Sequence, residues 1–169
     1  MTEKGKRNLA LIVYAILTAV ILTHSFYYFF QLPDQVAIHF GPSGRPDAMA
    51  SSSYLLMFEI IIISITAAIF LGSHLMIGVL PVDMINLPNK DYWLAPERRA
   101  ETVMAIQTYL AWFGSITVLF MLDVFHQTAL VNLGKAEKLT HFWLSLGVYL
   151  ILSTVWSIAL VRRFCKKVH

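Results

Sequence analysis

The sequence has few charged residues and a single cysteine, and each shortage excludes a class of protein. Charged residues make up 14% of the 169 residues, against roughly 25% in average soluble chains. Because Cys165 is the only cysteine, the chain can form neither an internal disulfide nor a cysteine-pair metal motif. It also has no heptad pattern, internal repeat, low-complexity tract or catalytic signature. A soluble enzyme and a disulfide-stapled domain are therefore not predicted.

Long apolar runs are what the sequence has instead. Hydrophobic residues make up 57% of the chain, and they concentrate in four stretches of about 20 residues or more, each long enough to cross a hydrocarbon layer of about 30 Å. Only short loops remain between them, so we predict one transmembrane domain over residues 1–169 and no folded soluble domain. The predicted spans are residues 9–30, 54–80, 103–125 and 142–161.

The basic residues are distributed unevenly between the segments that flank these spans. Ten of the 13 lie in the N-terminal segment, the loop 81–101 or the C-terminal tail, which includes Lys166 and Lys167. Short loops rich in Lys and Arg stay in the cytoplasm, which predicts both termini and the loop 81–101 on that side. The fold class predicted is all-α, an integral membrane four-helix bundle in the cytoplasmic (inner) membrane, with structured outer loop 31–53.

This outer loop has the pattern of a folded element. Val36, Ile38 and Phe40 alternate with Ala37 and His39, which predicts a short strand with one apolar side. Glycines and prolines in residues 41–47 then supply turns. One interpretation is a lid that only docks on the helix ends, and the other is a lid that contacts a ligand. The ligand contacts predicted there are His39, Arg45 and Asp47.

Several short motifs carry a resemblance to a known family. Leu32-Pro33, Ile38-His39-Phe40 and Gly44-Arg45-Pro46-Asp47 follow a first apolar span, and this arrangement resembles the bacterial domain-of-unknown-function family 1648. Residues 86–99 are similar to a second stretch in its four-span members, whereas Ala37 stands where the family often has proline. The resemblance implies a small integral membrane protein. A related module forms the front part of longer immunity proteins that protect bacteria from secreted peptide toxins, and the family implies no catalytic residues.

The loop 81–101 carries aromatic and basic side chains that suit a membrane surface. Tyr and Trp are enriched in the headgroup layer, and Arg meets anionic lipid phosphates there. The arginines also suit a phosphorylated ligand or a partner protein, so lipid contact and partner contact both remain open. The residues concerned are Tyr92, Trp93, Arg98 and Arg99.

Five ionisable residues fall at a similar depth near the outer ends of the spans, where unpaired charges are costly and mark candidate sites. They support three hypotheses. In the first they are structural pairs, Glu59 with His24 and Asp123 with His126 or His141. In the second they bind zinc or copper. In the third they bind an outer-face ligand below the lid. The ligand-site candidates are Glu59, His24, Asp123 and His126, and the metal candidates are Asp123, His126 and His141.

The function predicted from these features is binding: a cell-envelope immunity, sensing or accessory protein whose partners are the lipid bilayer and a secreted peptide or other outer-face ligand. A membrane-protein partner or a homodimer is also predicted. The alternative is a small oligomeric transporter or proton-coupled carrier that uses Glu59. A metal-dependent enzyme is a third class, but no nucleophile or oxyanion hole accompanies Glu59. Nucleic-acid binding has no platform, and no cofactor is predicted apart from the zinc or copper of the metal hypothesis.

Overall fold

The computed structural model describes residues 1–165, most of which form helices. The long helices are α1 (Glu3–Phe29), α2 (Ser52–Val79), α4 (Arg99–Asn132) and α5 (Phe142–Phe164). A two-stranded hairpin, β1 (Gln35–Phe40) and β2 (Pro46–Ser51), joins α1 to α2. A short 3-10 turn (Val82–Met84) and the one-turn helix α3 (Lys90–Trp93) lie between α2 and α4. Lys166 and Lys167, which entered the prediction of orientation, lie outside the described residues.

The four long helices are each long and apolar enough to cross a membrane, which indicates a multi-pass membrane protein. Their bounds differ from the predicted spans most clearly in α4, which continues to Asn132 rather than ending near residue 125. This extension carries polar residues, among them Gln127 and Thr128, that are nonetheless buried. Because the hairpin and the start of α5 cover this turn, its polar side chains find protein partners and the helix persists.

Helix α4 lies at the centre of the helix packing. Helices α1, α2 and α5 each pack against it, and α1 also packs against α2. Of the residues in α5, only Phe164 is buried. The four long helices predicted are therefore present, and they form a three-helix core with α5 packed on the side of α4. The core residues are Tyr14, Ile21, Ile63, Val118, Met121 and Phe125.

The helices of this core approach one another closely at Gly114 of α4. A Cβ atom there would lie 2.7 Å from Cε2 of Tyr14 and 2.9 Å from Cγ of Phe70. About two turns earlier in α4, Gln107 is also buried, and its Nε2 donates to the carbonyl oxygen of His74 at 2.9 Å. The small residue and the amide together allow α1 and α2 to pack closely on α4.

The hairpin corrects the all-α prediction, since β1 and β2 pair as antiparallel strands. It also departs from simple alternation, because Val36 and Ala37 are both buried while Ile38 and Phe40 are half-buried. The pairing is irregular between Ala37 and Phe40, and such irregularities bend a strand and redirect its side chains. The second strand leads directly into α2, where the Ser51 hydroxyl accepts a hydrogen bond from the Tyr54 backbone N–H.

Candidate functional site

A cavity of about 490 Å³ lies under the hairpin, between the hairpin and the adjoining ends of α2, α4 and α5. This volume falls in the range of small-molecule sites, roughly 300–1,000 Å³. We call it the hairpin cavity. Its walls are mostly apolar and aromatic, with few polar groups. The lining residues are Ile38, His39, Phe40, Gly41, Pro42, Gly44, Asp47, Leu55, Phe58, Glu59, Val124, Phe125, Thr128, Leu139, Phe142 and Trp143.

Two hydrogen bonds attach the tip of the hairpin to the start of α5 and to the α4–α5 connection. Nε1 of Trp143 donates to the carbonyl oxygen of Pro42 at 2.9 Å, and the Leu139 N–H donates to the carbonyl oxygen of Gly44 at 2.9 Å. Gly44 has a φ of +77°, which a side chain would strain, and a Cβ there would lie 2.8 Å from the Leu139 carbonyl oxygen. Glycine at this position therefore allows the tip of the hairpin to pack closely against the backbone of Leu139.

The side chain of Asn132 attaches the first strand to the end of α4. The Ala37 N–H donates to Oδ1 of Asn132 at 2.7 Å, and Nδ2 of Asn132 donates to the Ala37 carbonyl oxygen at 3.0 Å. A proline at position 37 would have no N–H for this pair, so alanine here has a specific structural use. The contact spans 95 residues of sequence, and no local signal in the sequence pointed to Asn132.

Glu59 of α2 is one of the residues that line the hairpin cavity, and only 7% of it is exposed. No ion pair to Glu59 forms among residues 1–165. The Ser25 hydroxyl of α1 interacts with this carboxyl, although Oγ is outside normal hydrogen-bond geometry. A second cavity of about 10 Å³, about the size that one water needs, is lined by Glu59, Ser25 and His24.

The predicted pairing of Glu59 with His24 is wrong. Nε2 of His24 lies 3.3 Å from Nδ1 of His126 on α4 instead, and the Tyr28 ring packs against both imidazoles. Neighbouring residues on a helix differ by about 100° in direction. Ser25 therefore faces Glu59 of α2, while His24 faces α4.

The other ionisable residues of the predicted cluster form a separate group at the start of α5. Nε2 of Gln127 donates to Oδ2 of Asp123 at 2.7 Å, and the His141 N–H donates to Oε1 of Gln127 at 3.1 Å. Nε2 of His141 lies 3.5 Å from Oδ1 of Asp123. Of the two pairings predicted for Asp123, the structure thus has the one with His141.

These contacts separate the three metal candidates. Asp123 and His141 are together, whereas His126 contacts His24 on another side of α4. In the part of the chain that the structure describes, no group of three or more His, Cys, Asp or Glu side chains is placed to hold a metal ion.

The three residues predicted as ligand contacts in the outer loop have different surroundings. Nδ1 of His39 is hydrogen-bonded to Oδ1 of Asp47 across the hairpin, and both residues line the hairpin cavity. Arg45 is exposed and outside the lining, with its guanidinium 3.9 Å from the carboxylate of Glu137. The structure therefore brings His39, Asp47 and Glu59 to one cavity and leaves Arg45 on the surface of the lid.

The four residues predicted to contact lipid or a partner make contacts within the protein. Nε1 of Trp93 donates to the Phe164 carbonyl oxygen at 3.0 Å, and the Arg99 guanidinium donates to the Leu80 carbonyl oxygen at 2.8 Å. Each therefore satisfies a carbonyl at a helix end. Arg98 stacks 3.9 Å above the Tyr92 ring and donates to the Tyr92 carbonyl oxygen. All four side chains remain half-buried, so lipid or partner contact stays a prediction.

Several lining residues of the hairpin cavity were missed by the sequence analysis. Phe58, Phe142 and Trp143 belong to apolar spans, where aromatic residues are common and carry no specific signal. Thr128 follows the predicted end of the third span, so its burial depends on the extension of α4. None of these four could have been identified without knowing which helix ends the hairpin covers.

Comparison with known families matches residues 11–71 to the model of a domain of unknown function, DUF1648. The matched segment runs from within α1, through the hairpin, to within α2, and so includes Glu59. Neither the curated proteins nor the solved structures contain a match to the chain. The part of the hairpin cavity that α4, α5 and their connection supply lies beyond the matched segment. The resemblance predicted from the motifs of the outer loop is therefore confirmed by a match to the DUF1648 model over residues 11–71.

Proposed function

We propose that this membrane protein binds a ligand from the outer face in the hairpin cavity, with the hairpin as its lid. The observation that carries the proposal is the cavity itself: about 490 Å³ of mostly apolar space with the buried carboxyl of Glu59 in its wall. Cavities that combine apolar walls with a few convergent polar groups are typical binding sites. The attachments at Trp143 and Asn132 hold the lid closed.

The proposed orientation places the hairpin outside and both termini in the cytoplasm. The three basic segments gather at the other end of the molecule, because the Arg163 guanidinium lies 3.3 Å from the Glu3 carboxylate and Trp93 bonds to Phe164. This end carries most of the positive charge, which favours the cytoplasmic face. The cytoplasmic membrane of a bacterial cell is the location that this arrangement suits.

An outer-face binding protein of this kind suits an immunity, sensing or accessory role in the cell envelope. The resemblance to modules of immunity proteins makes a secreted peptide one candidate ligand. The largely exposed apolar surface of α5 suits contact with lipid, with a membrane-protein partner or with a second copy of the chain.

Cysteine labelling tests both the access route and the binding. In a Cys165→Ser background, Thr128→Cys places the only thiol in the wall of the hairpin cavity. We expect a membrane-impermeant maleimide to label it from outside intact cells, and a small aromatic probe such as 2-phenylethanol to slow the labelling in a saturable way. Trp143→Phe, which removes a bond that closes the lid, should accelerate labelling several-fold.

The matched control is Lys135→Cys in the same background, because Lys135 is exposed on the α4–α5 connection and outside the cavity lining. It should react at the same rate with and without the probe. The exposed native Cys165 should react only after the cells are permeabilised. Labelling of Cys165 from outside would reverse the orientation, and equal labelling of Thr128→Cys at every probe concentration would argue against a binding cavity.

A proton-coupled carrier is a second candidate, favoured by the place of Glu59 between two cavities. Glu59 lines the hairpin cavity on one side and the small cavity beside His24 on the other. In proteoliposomes with an internal pH dye and an imposed membrane potential, a carrier should give proton flux that Glu59→Gln abolishes. Flux equal to that of empty liposomes, or unchanged in Glu59→Gln, would remove this candidate.

A further inference from the structure

The hairpin cavity combines an acidic lining with an apolar one. Its charged side chains include the carboxylates of Glu59 and Asp47 but no Lys or Arg, and His39 is the only basic residue among them. His39 is already paired with Asp47 across the hairpin. Arg45, the nearest arginine in sequence, turns to Glu137 outside the lining. The lining therefore has two acidic side chains and one basic side chain, and the carboxyl group of Glu59 is the one left without a basic partner.

Glu59 is the source of this imbalance. It is 7% exposed, and no ion pair reaches it among residues 1–165. A buried ionised carboxylate without a cation is costly, whereas one that is paired and hydrogen-bonded is tolerated. The Ser25 hydroxyl is a neutral neighbour and supplies no compensating charge. A cation brought by the ligand would remove this cost.

The walls also favour a cation attached to an apolar body. Four aromatic side chains of the lining come from three different helices: Phe58, Phe125, Phe142 and Trp143. Aromatic faces attract ammonium groups, more strongly where water is excluded, and they pack against an apolar ligand body. An anionic ligand would find no Lys or Arg side chain in these walls to pair with, and it would also lie close to the Glu59 carboxylate.

We propose that the hairpin cavity takes a cationic amphipathic amine, with the ammonium group paired to Glu59 and the apolar body against the aromatic walls. The proposal rests on the proposed function, because it names the ligand class of the same site. A free amine and the lysine side chain or N-terminus of a peptide share this chemistry. If Glu59 had only a structural role, the cavity would bind charged and neutral ligands of similar size alike. The proposed pairing instead predicts that the cavity prefers a cationic ligand and that this preference depends on the Glu59 carboxylate.

Three probes of similar size but different charge test the proposal in the single-cysteine protein that carries Thr128→Cys. They are 2-phenylethylamine, 2-phenylethanol and 3-phenylpropionate, compared at neutral pH for their ability to slow maleimide labelling. We expect the amine to protect at concentrations about tenfold lower than the alcohol, a difference of about 1.4 kcal/mol, and the carboxylate to protect least. Titration calorimetry of the same probes with the native protein in lipid nanodiscs gives a readout without the substitution.

Two variants assign the preference to Glu59. Glu59→Gln should weaken protection by the amine to the level of the alcohol and leave protection by the alcohol unchanged. Glu59→Asp keeps the charge and should retain a preference for the amine. The matched control is Glu137→Gln, which removes an exposed carboxylate outside the lining and should leave all three probes unaffected.

The outcomes separate this inference from the proposed function. Equal protection by the amine and the alcohol, or a preference that survives in Glu59→Gln, overturns the cationic ligand and leaves a binding cavity. Protection by none of the probes in either experiment overturns the binding cavity itself. A small peptide with one lysine and an aromatic residue, protecting more strongly than the free amine, would favour a peptide source.

Discussion

Replacement of Gly114 by alanine is expected to lower the free energy of unfolding by about 1–3 kcal/mol, the usual cost of forcing extra atoms into a packed core. The added methyl group would lie 2.7 Å from Cε2 of Tyr14 and 2.9 Å from Cγ of Phe70. Tyr14 is almost fully buried, and its ring meets Phe70 edge to face. Neither ring can move aside alone, so α1 and α2 must both shift away from α4.

Thermal unfolding of the purified protein in detergent, followed by circular dichroism, measures this effect. The matched control is Gly72→Ala in α2, where an added Cβ would meet no atom within 4 Å. Because alanine is the better helix former by about 1 kcal/mol, the control should unfold at the same temperature or higher. If the two variants unfolded at equal temperatures, the close packing of α1 and α2 on Gly114 would be contradicted.

Replacement of Asn132 by alanine is expected to detach the hairpin from α4. The Asn132 side chain forms hydrogen bonds of 2.7 and 3.0 Å with the backbone N–H and carbonyl oxygen of Ala37. Ala37 is 2% exposed, so its two backbone groups would lose their partner without gaining full access to water. Each unsatisfied buried group costs about 1–3 kcal/mol. Detachment of the strand would expose both backbone groups to water and so remove this cost.

Hydrogen exchange measured by mass spectrometry localises the effect. Amides of residues 35–51 should exchange faster in Asn132→Ala, while those in the middle of α1 and α4 should be unchanged. Gln31→Ala is the control, because the Gln31 side chain donates only to the Tyr27 carbonyl oxygen within an exposed turn. Unchanged exchange of the hairpin in Asn132→Ala would mean that other contacts hold it closed.

The candidate site was partly predictable because burial of a carboxylate is unusual enough to be noticed in a sequence. Glu59 interrupts an apolar span, and such a residue is a site candidate wherever it occurs. His39 and Asp47 were identified because turns and alternation marked the outer loop as folded. Their partners were not predictable. The direction of His24 toward His126 depends on the rotation of α1 about its axis, and four apolar helices permit many rotations.

Four apolar helices and a folded loop after the first one, in a segment that matches the DUF1648 model, were predictable from the sequence alone. These features follow from local composition, because apolar length and turn residues act over a few neighbouring positions. The central position of α4, the cavity under the hairpin and the lack of a charged partner for Glu59 within residues 1–165 are visible only in the tertiary structure. Those features depend on contacts such as Asn132 with Ala37, which join residues far apart in the chain and leave no periodic pattern in it.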